Sequence, residues 1–93
     1  MAIKVHAKHI LVKTEAEANA LLFDIHHGKE FSVAAQEKSL CPSGKKGGDL
    51  GWFGKGMMVR EFETAAFALT PGEISKPIKT QFGWHLIQLV ESS

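Results

Sequence analysis

The chain has 93 residues, 44% hydrophobic and 23% charged, with a net charge of +1, which suits one small globular domain over residues 1–93 with room for a single core. Its basic residues are dispersed, so electrostatics imply neither nucleic acid nor an anionic membrane as a partner. One cysteine excludes an internal disulfide, and Met1 runs into Ile3-Lys4-Val5 without an apolar leader or span, so the expectation is a monomer in a reducing cytoplasm.

Lys4 to Val12 alternates as a strand, with Val5, Ala7, His9 and Leu11 on one face and His6, Lys8, Ile10 and Val12 on the other. Thr14-Glu15-Ala16-Glu17 is a capping-box signature, and Ala18, Leu21, Leu22 and Ile25 continue it with helical spacing to a stop at Gly28. A shorter helix from about Glu30 to Lys38 places Phe31, Ala34 and Ala35 on one stripe. Leu50 to Phe53 reads as a short strand ended by Gly54-Lys55-Gly56. Met58, Phe62, Ala65, Ala66 and Leu69 form a third helical stripe, closed by Thr70-Pro71-Gly72. Ile74, Lys76, Ile78 and Thr80 alternate as a strand, Gln81-Phe82-Gly83 turns, and Trp84 to Val90 forms the last strand, with His85, Ile87 and Leu89 on one face. The order β-α-α-β-α-β-β predicts a small mixed sheet with helices packed against it.

Between the second helix and the second strand lies Ser39-Leu40-Cys41-Pro42-Ser43-Gly44-Lys45-Lys46-Gly47-Gly48-Asp49, which holds the only cysteine and three of the nine glycines. A glycine-rich loop that ends in a strand is a common way to hold a reactive side chain at a cleft rim. His9 and His85 sit on apolar faces of the first and last strands. If those strands are neighbours, the two imidazoles meet, and Cys41 and Thr80 fall close enough to join a polar cluster, because a buried imidazole needs a partner for each ring nitrogen. A metal centre fits poorly, since His6 and His9 point to opposite sides of their strand and no C-x-x-C or H-E-x-x-H spacing exists. Cys41 as a nucleophile with a histidine base is an alternative, set against the small size of the chain for a protease. By spacing alone Leu50, Met58, Phe62 and Phe82 belong to the core; the other reading is that some of them line a cleft, where methionine and aromatic rings make adaptable walls.

Taken together, His9-Ile10-Leu11-Val12, Ser39-Leu40-Cys41-Pro42-Ser43-Gly44, Gly47-Gly48-Asp49-Leu50-Gly51, Met58 with Phe62, Ala66-Phe67-Ala68-Leu69 and Thr80-Gln81-Phe82-Gly83-Trp84-His85-Leu86-Ile87 resemble the parvulin family of peptidyl-prolyl cis-trans isomerases, over nearly the whole chain. The resemblance implies an α+β fold, a four-stranded, mostly antiparallel sheet surrounded by about four short helices, and a cofactor-free isomerase acting on proline-containing peptides and unfolded protein clients. It implies that His9, Cys41, Thr80 and His85 form the central polar network and that Leu50, Met58, Phe62 and Phe82 wall the proline pocket. Phosphate-directed parvulins carry a longer, arginine-bearing loop after the first strand; here Lys13 leads directly to Thr14 and two glutamates, which argues against phosphoserine or phosphothreonine specificity. Phe82 stands where those relatives have a small polar residue, which implies an apolar residue before the substrate proline, while Lys45 and Lys46 leave room for acidic flanks. The functional alternative is a peptide-binding holdase that uses the same cleft without accelerating isomerisation.

Overall fold

The computed structural model describes residues 3–93. Its elements are β1 (Lys4–Val12), α1 (Glu15–His26), α2 (Phe31–Lys38), a 3-10 turn (Pro42–Lys46), β2 (Asp49–Gly54), α3 (Arg60–Ala68), β3 (Ile78–Thr80) and β4 (Gly83–Ser92). The strands form one sheet in the order β2-β1-β4-β3, every neighbouring pair antiparallel. This is the expected α+β fold, and three α-helices plus the 3-10 turn account for the expected four short helices, but the sheet is antiparallel throughout, not the mixed one predicted from the element order. The first and last strands are neighbours at the centre of the sheet.

Period-two alternation in β1 and β4 sorts the core into two halves. On one face Ile10, Val12 and Leu86 pack with Ala18, Leu21, Phe31, Ala34 and Ala35 of α1 and α2. On the other, Val5, Ala7, Ile87 and Leu89 pack with Phe53, Phe62 and Ala66, so α3 covers the histidine face. Helix α1 starts where its cap predicts: Thr14 Oγ1 accepts the Glu17 backbone N–H at 3.1 Å and its hydroxyl donates to the Glu17 carboxylate.

Two elements are shorter than periodicity predicts. Helix α3 begins at Arg60, not Met58, and ends before Leu69, because Val59 and Leu69 are both extended, with ψ of 148° and 154°. Met58 and Phe62 are therefore not one helical turn apart. The strand expected from Ile74 is confined to Ile78–Thr80, with Ile74 making an isolated bridge to Gln88. Pro77 supplies the reason, since it has no N–H to donate to a ladder. Upstream of it Ser75 still ties to β4, with Ser75 N–H donating to Ile87 O at 2.7 Å and Ser75 Oγ accepting the Ile87 N–H at 3.0 Å.

Candidate active site

In the β1–β4 register Leu11 faces His85 and His9 faces Ile87, so the two histidines are diagonal neighbours on one face. Their Nδ1 atoms lie 3.0 Å apart with the rings nearly parallel at 19°. Both are buried, and Phe62 of α3 sits across them, 5.4 Å and 5.3 Å from the two ring centroids at near-perpendicular angles. Behind the pair, Thr80 Oγ1 lies 2.7 Å from His85 Nε2, brought there by the tight β3–β4 connection.

The segment containing Cys41 is clamped to β1 at both ends. After α2, Leu40 N–H donates to Leu11 O at 2.8 Å and Ser39 Oγ accepts the Leu11 N–H at 3.1 Å. Past the 3-10 turn, His9 N–H donates to Gly48 O at 2.9 Å. Gly48 adopts φ +85°, and a Cβ there would lie 2.3 Å from the His9 carbonyl oxygen, so only glycine lets the loop close this tightly on β1. The span between the clamps is held over His9, which puts Ser43 Oγ 3.2 Å from His9 Nε2 and 3.3 Å from Cys41 Sγ.

Burial lowers the pKa of both imidazoles; for His9, desolvation and then the neighbouring His85 bring it from 6.5 to about 4. With both rings neutral, one direction of donation satisfies the whole chain. Ser43 O–H donates to Cys41 Sγ, so His9 Nε2–H donates to Ser43, and its bare Nδ1 accepts from His85 Nδ1–H. His85 Nε2 is then bare and accepts from the Thr80 hydroxyl, whose oxygen accepts the Phe82 N–H at 3.1 Å. Five side chains thus form one directed network that ends on the thiol. It positions and polarises; its two histidines face each other, and neither contacts the thiol directly.

Beside this network opens a cleft of about 540 Å³ lined by Leu50, Met58, Phe62 and Phe82, with His9, His85 and Cys41 also exposed to it. All four expected apolar walls reach the cleft, as do three of the four expected network residues. Thr80 lies behind His85, out of the cleft. Spacing missed Ser43, and also Leu11, Leu40, Pro42, Met57 and Val59, which complete the lining. A signal for Ser43 was present: His9 and His85 have four ring nitrogens, the mutual contact and Thr80 occupy three, and the fourth needs another hydroxyl. Among the described residues no group of three His, Cys, Asp or Glu side chains is placed to hold a metal ion, and no helix is long and apolar enough to cross a membrane.

A family model described as rotamase, PpiC-type PPIase domain, matches residues 2–91. The foldase protein PrsA of Geobacillus kaustophilus is 48% identical over 89 residues, 95% of this chain and 32% of its own length. The chaperone SurA of Thiobacillus denitrificans is 46% identical over 95 residues, 92% of this chain and 22% of its own length. The chain thus spans about a third or less of these curated relatives. The solution structure of the parvulin of Nitrosopumilus maritimus superposes with a TM-score of 0.88 at 44% identity, covering 98% of this chain and 99% of that one. With the family match extending from the first strand through the last, the chain belongs to the PpiC-type peptidyl-prolyl cis-trans isomerases, the parvulin family.

Proposed function

We propose that the chain accelerates rotation about X-Pro bonds in peptides and unfolded protein clients by a non-covalent route, with His9, Cys41, Thr80 and His85 as the network and Leu50, Met58, Phe62 and Phe82 as the proline pocket. The observation that carries this reading is that the apolar cleft and the directed network meet at one wall, at Cys41. The planar amide is held by a barrier of about 18–20 kcal/mol from C–N resonance, and no covalent bond has to break to cross it. Shortening a wait of tens of seconds to about ten milliseconds is a roughly thousandfold acceleration, which requires about 4 kcal/mol of preference for the twisted state. The twisted amide is less dipolar than the planar one, so an apolar cleft that strips water from it favours rotation, while Leu50, Met58 and Phe62 hold the ring still as the preceding residue turns. Cys41 contributes a polar contact to the turning carbonyl, oriented by Ser43.

A holdase function is the second reading, favoured by the cleft's rim: Leu40, Met57 and Phe82 are 55%, 68% and 62% exposed and present an apolar margin to an unfolded chain. A protease-coupled assay on proline peptides separates the two. Isomerisation should accelerate in proportion to enzyme, with preference for an apolar residue before proline because of Phe82. Suppressed aggregation with an unchanged isomerisation rate would establish the holdase instead. We further propose that the chain acts as a monomer in the cytoplasm, a reading supported by the free Cys41 thiol at the cleft.

A further inference from the structure

The ridge Leu40-Cys41-Pro42 has a cavity on each side. One is the proline cleft; the other, of about 330 Å³, is lined by the same three residues together with Gln36, Ser39, Gly44 and Lys45. The two differ in chemistry. The second recess exists because the 3-10 turn presses onto the end of α2: a Cβ on Gly44 would lie 2.8 Å from Ala35 O and 3.0 Å from Ser39 Cβ. That approach carries Lys45 to Gln36 and Ser39, while Lys46, one residue on, does not reach the recess.

The polar side chains of this lining can all donate. Ser39 Oγ already accepts two backbone N–H groups, from Leu11 at 3.1 Å and Cys41 at 3.3 Å, and its own hydroxyl proton goes to no acceptor among the described residues. Lys45 has no carboxylate within ion-pair distance among the described residues, and none lines the recess. Gln36 adds an amide N–H₂. The side chains of Lys45, Ser39 and Gln36, one cationic and each able to donate, line one hollow and suit an acceptor-only anionic group.

We propose that this recess is a subsite for an aspartate or glutamate of the client chain and that Lys45 is its specificity-determining residue. The assignment rests on the isomerase reading of the neighbouring cleft. Because the two hollows share a wall and an extended chain advances about 3.3–3.6 Å per residue, the acidic side chain belongs within about three residues of the bound proline.

The test is a panel of peptides with a fixed apolar-Pro core and Glu, Gln or Lys at each of the flanking positions. At the responsive position the Glu peptide should exceed its Gln isostere in kcat/KM by about two- to fivefold, the worth of one exposed charge pair. The ratio should shrink as salt is raised. Lys45→Gln should bring the Glu/Gln ratio to one and Lys45→Arg should keep it, while Lys46→Gln should leave it unchanged. A Glu/Gln ratio of one at every position, a ratio that survives Lys45→Gln, or an equal fall in Lys46→Gln overturns the subsite. Binding of the same peptides, followed by the amide shifts of Ser39 and Lys45, separates this from the function: a Glu preference in binding without isomerisation sinks the isomerase reading alone, and isomerisation without the preference sinks the subsite alone.

Discussion

Acid should destabilise the fold through His9. In the folded chain its pKa falls from 6.5 to about 4, chiefly because burial opposes the charged form. The unfolded chain therefore takes up the proton first. The stability associated with a neutral His9 is fully present above pH 6.5, is lost as the pH falls from 6.5 towards 4, and stays level below that. A shift of that size corresponds to about 3 kcal/mol in all, of which about 2 kcal/mol is lost between about pH 7.5 and pH 5, where most carboxylates remain ionised. His9 is 6% exposed, so solvent screening takes little from this figure. His85, depressed by burial, acts in the same direction. Protonation would also set two N–H groups against each other across the 3.0 Å contact and break the network that ends at Cys41. Urea unfolding at several pH values should show the loss, and His9→Asn should remove about 2 kcal/mol of pH dependence over that range without altering the m-value. Should the variant fold poorly, the ring-proton titration of His9 in the unaltered chain answers the same question. A His9 midpoint near 6.5, or the same pH dependence in His9→Asn, would refute the reasoning.

Two further predictions concern the loop. Gly48→Ala meets both a left-handed φ and a 2.3 Å approach to His9 O, and should cost about 2–4 kcal/mol in urea unfolding; an unchanged midpoint would mean that the loop is not clamped to β1 as described. Cys41→Asp keeps a polar group beside the cleft but cannot do thiolate chemistry, so the non-covalent route predicts that about a tenth or more of the isomerase rate remains, while near-complete loss with an intact fold would favour a nucleophilic cysteine.

Much of the site could be read before any coordinates, because its framework is periodic. Alternation along Lys4–Val12 and across Trp84 to Val90 placed His9 and His85 on apolar faces, and the Thr14 cap marked the start of α1. Periodicity failed where a neighbour or a missing donor overrode it. Met58 carries the helical spacing of Phe62 yet precedes α3, because Val59 is extended. Ile74 alternates with Ile78, but Pro77 breaks the ladder between them.

The amino-acid order by itself determined the order of the elements and which residues of each central strand share a face, because both follow from residues within a few positions of one another. Tertiary structure alone decided that Ser43 links His9 to Cys41, that Thr80 stands behind His85 and that Lys45, not Lys46, faces the second recess. Those choices depend on where a loop clamped at Leu11 and His9 places side chains distant in sequence, and on the roughly three residues per turn of a 3-10 segment, which send adjacent lysines in different directions.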